Sequence, residues 1–379
     1  MPETPSIRVV HIASGDLWAG AEVQLFTLVK ALKNNTNTDI HVFVMNHGTL
    51  EQKLIAENIP VTIFDESTLS STTIFFRILQ HLKRIRPDVV HTHREKENVL
   101  GSIACLFAGN TPSIRTSHGA PEHHPTWRQF PKRLANTVDW LCGRFLQKKV
   151  IAVSEDLLAI LKKKFPENKI CVIENGLDIK ALEQYKNADK TTRHKQAYKI
   201  GLVGRLVPVK RVDLFIKLAK FMREHHPDFQ AQYHIYGDGP LRDELMDLSR
   251  HYNVENIVHF EGHCSNIHTL MTSLDTLMIT SDHEGLPMTL LEAMALDIPI
   301  VARSVGGITT ACQEGQGCWL IRNDSIEMLA KTLIECLSNH DARQQKCILA
   351  EQHVRQKYSS STNATLVNNI YIQLAKISP

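Results

Sequence analysis

Short β-branched runs alternate along the chain with longer stretches in which apolar residues recur every three or four positions. The first run, IRVVHIAS, leads through the glycine-containing loop GDLWAGAE into an amphipathic segment, VQLFTLVKALK, making one strand–loop–helix unit. The alternation continues through DIHVFVMN, LEQKLIAEN, VTIFD, IFFRILQHLKRIR and PDVVHTH, with further short strands at SIRTSHG, KVIAVS and KICVIENG. Strands separated by helices predict a parallel sheet covered on both faces. From Gln184 to Lys199 the hydrophobic period lapses. It restarts at IGLVGRL and runs on through RVDLFIKLAKFMREH, AQYHIYGDG, LRDELMDLSRHY, IVHFEGH, NIHTLMTSL and TLMITS. The pattern predicts an α/β protein of two doubly wound, Rossmann-like domains, residues 1–185 and 186–360, facing across a cleft. Residues 361–379 are expected to form a C-terminal helix able to pack back on the first domain.

One apolar stretch carries two carboxylates. EGLPMTLLEAMALDIPIV, Glu284 to Val301, places Glu284 and Glu292 eight positions apart. Pro287 suits a first helical turn and Pro299 lies beyond the far end, so the helix spans about Met288 to Leu296. Leu290, Leu291, Ala293, Met294 and Ala295 make it apolar nearly all round, hence buried between layers, and DIPIVA follows as a short strand. Glu284 then lies in the loop before the helix and Glu292 in its second turn. Carboxylates are rarely buried without partners, so two readings stand open. Either both face a polar cleft or ligand, or Glu284 caps the helix and Glu292 pairs with a Lys or Arg.

Composition narrows the class. With 43% hydrophobic and 22% charged residues, the chain is of ordinary globular type. It shows no secretory leader and no apolar run long enough to span a membrane, so a cytoplasmic location is expected. Asn34 and Asn363 match the glycosylation sequon, which without a leader is read as coincidence. No C-x-x-C pair occurs; the nearest cysteines are Cys312 and Cys318, and buried free thiols are expected rather than a disulfide or zinc framework. The net charge of +3 calls for no nucleic-acid partner, and nothing specifies an oligomer. The basic excess is local, in Trp127 to Lys149, where Arg128, Lys132, Arg133, Arg144, Lys148 and Lys149 face only Asp139. There Trp127, Phe130, Leu134, Val138, Leu141 and Phe145 form a helical stripe. It either packs on the sheet or docks, with its basic flanks, on an anionic membrane surface.

Candidate chemistry gathers at strand ends. In GLVGRLVPVKR, Arg205 and Lys210 stand beside Gly204, a guanidinium and an ammonium suited to a diphosphate, although solvated loop charges would look the same. Gly20 in WAGAE precedes a helix N-terminus where backbone amides can meet an anion. YGDG before LRDEL reads equally as a ligand loop or a helix-capping turn. His118 in TSHGA follows a strand end. His91 and His93 share one face of a strand with no third metal ligand identifiable, so no metal is expected. The G-x-G-x-x-G of a nicotinamide-binding fold is missing.

The ordered motifs GAE, HTH, SHG, AVSEDL, IENGLD, VGRLVPVKR, YGDGPLRDEL, HFEGH and SDHEGLPMTLLEAMALDIPIVARSVGG run from about Val9 to Asn323. In this order the chain resembles the retaining glycosyltransferases of family 4, which have the GT-B fold. The resemblance implies that Glu284 looks toward hydroxyls of the donor sugar and Glu292 binds the nucleotide ribose. It gives Arg205 and Lys210 the leaving diphosphate, in place of a divalent metal, assisted by the amides of Leu290 and Leu291. Backbone around Phe260, Gly262 and His263 would hold the base. Gly20, Gly204, Gly285 and Leu286 would line the donor's path, and His118 would contact the sugar at its 6-hydroxyl from the opposite domain. The implied reaction moves a hexose-type sugar from a nucleotide sugar, UDP-sugar favoured over GDP-sugar, to an acceptor hydroxyl. The expected setting is synthesis of cell-surface polysaccharide, lipopolysaccharide or glycolipid, with no cofactor. The chain departs from the family at Ala19, where a Gly-Gly pair usually precedes Ala-Glu. A GT-B sugar-nucleotide epimerase or a catalytically silent sugar-nucleotide-binding protein would share the fold. The first would carry a different order of motifs, and the second would be expected to lack one of the four charged residues.

Overall fold

The computed structural model describes residues 6–16, 18, 20–119, 130–186, 197–323 and 325–375. Ala19, Trp127 and Arg128, named above, lie outside them. The chain forms two compact units, one of Met1–Gly176 with Ser360–Pro379 and the other of Leu177–Ser359.

In the first unit, strands β1 (Ile7–Ala13), β2 (Thr38–Val44), β3 (Val61–Ile63), β4 (Val89–Thr92), β5 (Ser113–Ser117), β6 (Lys149–Ala152) and β7 (Ile170–Val172) form one sheet. Their order is β3-β2-β1-β4-β5-β6-β7, every pairing parallel. Alternation along β1 sends Val9 and Ala13 into one core layer and Val10 and Ile12 into the other, as a sheet covered on both faces requires. The helix Ser360–Ala375 closes the first layer, burying Ala364, Val367 and Tyr371 with Leu25 and Val29 of the helix Gly20–Asn35.

The second unit repeats the plan. Strands β8 (Tyr198–Val203), β9 (Ala231–Tyr236), β10 (Val258–Gly262), β11 (Thr276–Ile279), β12 (Ile300–Arg303) and β13 (Trp319–Ile321) are ordered β10-β9-β8-β11-β12-β13, again all parallel. Strand order reverses between β1 and β4 in one unit and between β8 and β11 in the other. Loops leaving these neighbours go to opposite faces and open a crevice, so each reversal is where a ligand is expected.

The units part at Gly176 and Leu177, whereas the sequence pattern lapses only at Gln184. The intervening helix, Ile179–Lys186, belongs to the second unit because Ile179 and Leu182 are buried with Leu290, Met294 and Tyr358. Leu177 donates its amide to the carbonyl of Tyr358 at 2.7 Å, so the chain's two crossings run side by side.

One expectation is corrected, and one open choice is narrowed. Cys312 and Cys318 are joined in a disulfide, not free. A single 3-10 turn, Gln313–Gly315, folds the intervening residues back, and Gly317 donates to the carbonyl of Cys312 at 3.2 Å, bringing the two buried sulfurs together. The stripe after Pro131 is not packed away: the helix Phe130–Leu141 passes into a π-turn, Cys142–Leu146. Leu134, Leu141 and Phe145 remain 55%, 41% and 66% exposed.

Candidate active site

In the second unit the loops leaving β8 and β11 are tied together. After β8 the chain makes a 3-10 turn, Pro208–Lys210, started by the fixed φ of proline, and Arg211 reverses it in the left-handed region at φ 48°. From the other loop, Thr280 Oγ1 donates to the carbonyl of Lys210 at 2.8 Å, and the amide of Asp282 donates to the carbonyl of Val209 at 2.8 Å. Arg211 Nη1 donates to Asp282 Oδ1 at 3.0 Å, and Arg303 binds the same oxygen. Burial would raise the Asp282 carboxyl, but these hydrogen bonds outweigh it and hold it below the usual carboxylate range.

On this frame Lys210 Nζ donates to Glu284 Oε1 at 2.5 Å, and Ser281 Oγ donates to the same atom at 2.6 Å. Glu284 therefore does not cap the helix Met288–Ala295, whose N-cap is Pro287 and which has no side-chain cap. Among the described residues Glu292 meets neither Lys nor Arg; its Oε1 lies 3.3 Å from His268 Nε2. Arg205 is exposed, and its guanidinium has no hydrogen bond or ion pair among the described residues. Backbone approach is very close here. A Cβ on Gly237, at φ 136°, would stand 1.9 Å from the carbonyl oxygen of Gly204, and one on Gly307 would stand 1.9 Å from that of Gly285.

The remaining positions divide. Leu286, Leu290 and Leu291 bury their side chains, and the amides of Leu290 and Leu291 donate to the Pro287 carbonyl at 3.1 and 3.4 Å, so a phosphate there would compete with the helix's own first turn. Phe260 and Gly262 flank a register shift in β10, Gly262 accepts from the amide of Gly237 at 2.8 Å, and His263 is exposed beyond it. Ser281, Asp282, Arg211, Arg303 and His268 escaped the sequence reading. SDHEG was visible as a string, but its partners are distant in sequence.

In the first unit the reversal between β1 and β4 gathers histidines. His91 and His93 gain the third ring that sequence did not find, His11 of β1, with ligating atoms of all three within 4.8 Å. His118 lies beyond them at the end of β5. The rings hydrogen-bond one another and Tyr371 and Thr116. Burial lowers His11 to about 3 and His118 to about 4, and holds His91 and His93 well below the usual imidazole value, so all four are neutral at pH 7. Alongside opens a cavity of about 840 Å³, lined by His93, Arg94, Glu97, Asn98, Arg115 and His118. Burial pushes Glu97 up to about 7. Arg94 donates to buried Glu22 at 2.5 Å. Gly20 is exposed, and a Cβ there would meet nothing within 4 Å.

The chain matches family models for its two halves, "Glycosyltransferase Family 4" over residues 18–181 and "Glycosyl transferases group 1" over residues 183–352. It is 24% identical over 342 residues, 86% of its own length and 87% of the relative's, to UDP-Gal:alpha-D-GlcNAc-diphosphoundecaprenol alpha-1,3-galactosyltransferase of Escherichia coli. Among solved structures, Anabaena HepE in complex with UDP-glucose superposes with TM-score 0.79 at 21% identity, over 97% of this chain and all of that one (100%). A glycosyltransferase from Rickettsia africae gives 0.80 at 19% identity, over 99% and 100%. With both halves matched and two doubly wound units in the GT-B manner, the chain belongs to the glycosyltransferases of family 4.

Proposed function

We propose that the protein transfers a hexose from a uridine diphosphate sugar to a hydroxyl of a lipid-linked or saccharide acceptor, with retention at the anomeric carbon, during synthesis of a cell-surface glycan. The observation that carries this reading is the contact of Lys210 with Glu284 at the β8/β11 reversal. A cation suited to a diphosphate and a carboxylate suited to sugar hydroxyls stand side by side, as the two sides of an anomeric bond require. Breaking that bond develops positive charge on the sugar and negative charge on the β-phosphate, so Lys210 and Arg205 stabilise the transition state more than the bound substrate. Glu284 and Asp282 are both engaged by cations, which favours front-face attack over a carboxylate nucleophile, with the leaving phosphate oxygen taking the acceptor's proton. The printed donor and acceptor of the Escherichia coli relative, and UDP-glucose in the Anabaena structure, support the choice of uridine and of a lipid-linked acceptor.

A panel of nucleotide sugars screened for heat stabilisation tests the donor, since a ligand bound only by the folded state raises the melting temperature by mass action. UDP-sugars are expected to stabilise and GDP-sugars not; the reverse would overturn the base assignment. Product NMR is expected to show retained configuration, with activity surviving EDTA. An inverted product, or activity restored only by magnesium or manganese, would contradict the mechanism.

A further inference from the structure

Glu292 stands on the helix Met288–Ala295 among Leu290, Leu291, Ala293, Met294 and Ala295, all buried, and its own side chain is 14% exposed. A carboxylate in such surroundings needs a donor. Among the described residues its one side-chain partner is His268, whose Nε2 lies 3.3 Å from Oε1. The fold brings the two together. Strands β10 and β11 are separated in the sheet by β9 and β8, so the chain between them has to cross. That crossing carries the helix Ile267–Thr272, and its Met271, with Leu274 just beyond it, packs in the same layer as Leu290, Leu291 and Met294. His268, at the second position of the helix, is thereby set against Glu292. Its ring also meets Tyr185 of the helix Ile179–Lys186, with centroids 5.4 Å apart and planes inclined at 49°, and Tyr185 packs on that same layer.

An ionised carboxylate only accepts, so the imidazole nitrogen facing it carries its proton whether the ring is neutral or charged. The contact has one sense: His268 gives and Glu292 receives. It engages Oε1 and leaves Oε2, which makes no hydrogen bond among the described residues, to a ligand. A glutamate side chain loses rotamer freedom when a ligand fixes it, and one already held by a neighbour loses less at that moment.

We propose that His268 is a positioning residue for nucleotide recognition: it holds Glu292 so that the free carboxylate oxygen meets the ribose hydroxyls, and Tyr185 steadies the imidazole. That Glu292 meets ribose rests on the family 4 reading above; the approach of His268 to its Oε1 does not. A His268 that only supports the fold would alter the binding of every nucleotide alike. One that acts through Glu292 alters only the contribution of the ribose hydroxyls.

Calorimetry of the full chain with UDP and with dideoxy-UDP, which lacks both ribose hydroxyls, separates the two roles without any transfer assay. Wild type is expected to prefer UDP. His268→Ala is expected to weaken UDP binding about three- to tenfold, the effect of releasing one held side chain, while changing dideoxy-UDP less than about twofold. His268→Gln, which returns an N–H donor at similar reach, is expected to recover most of the preference. With its side chain 30% exposed, His268 adds little to the core, so both variants are expected to melt with wild type. Equal losses for the two ligands in His268→Ala, or no loss for UDP, would overturn the proposal. Glu292→Ala measured beside them tells this failure from that of the ribose assignment. A preference lost there but kept in His268→Ala removes the positioning role alone, whereas a preference kept in Glu292→Ala, or missing from wild type, removes the ribose contact and the positioning role with it. A protein that takes guanosine nucleotides instead is tested with GDP and dideoxy-GDP, so the choice of base does not decide the result.

Discussion

Lys210 and Glu284, 74 positions apart, share a hydrogen bond of 2.5 Å, with side chains 26% and 11% exposed. Removing the ammonium leaves a carboxylate whose remaining side-chain partner among the described residues is Ser281, at the place where the proposed reading puts the donor's diphosphate. Lys210→Ala is expected to lower turnover by on the order of 10² or more, and Arg205→Ala, whose partnerless guanidinium has no such local duty, by a similar factor with little change in melting temperature. Steady-state rates within a fewfold of wild type would make both solvated loop charges.

Glu284 and Glu292 are expected to separate sugar from nucleotide. Glu284→Ala should impair transfer more than binding of free UDP, whereas Glu292→Ala, which also strands His268, should weaken UDP binding itself. Calorimetry with UDP on the two variants checks this; equal losses would reject the division of roles.

Glu97 gives the fold a pH dependence of known sign. Burial raises its carboxyl from 4.5 to about 7, so its proton is held more tightly in the folded state. The resulting stability is fully present below pH 4.5 and is lost as pH rises through about 7, about 3 kcal/mol in all. Glu97→Gln is expected to be more stable than wild type at pH 8 and nearly equal to it at pH 4.5. Denaturant melts at the two pH values measure it, and a difference that does not change with pH would show that Glu97 titrates normally.

The exposed Leu134, Leu141 and Phe145, with Arg133 and Lys148 beside them, suit docking on an anionic bilayer, where each basic residue contributes about 1 kcal/mol and the attraction fades within a Debye length. Among the described residues no helix is long and apolar enough to cross a membrane. The protein is expected to cosediment with anionic vesicles at low salt, to be released at high salt, and to lose binding in a Leu141→Ser, Phe145→Ser variant that still folds. Indifference to vesicles at low salt would point to an acceptor that arrives in solution.

Local pattern was enough to read two doubly wound units, the buried helix Met288–Ala295 and the two carboxylates flanking its start, because hydrophobic period reports which face of an element is covered. It does not report what covers it. The helix His340–Lys357 buries only Ala350 and Val354 and shows no stripe, and the edge strand Trp319–Ile321 has three residues, too few for a period. The family resemblance named Lys210 and Glu284 for separate tasks, but their contact depends on β8 and β11 being neighbours in the sheet. His91 and His93 could be seen to share a face of one strand. Their joining to His11, 80 and 82 positions away on β1, and to Tyr371, 280 positions from His91 on the last helix, was decided by packing alone, since a parallel sheet with crossover helices brings together side chains that no local spacing relates.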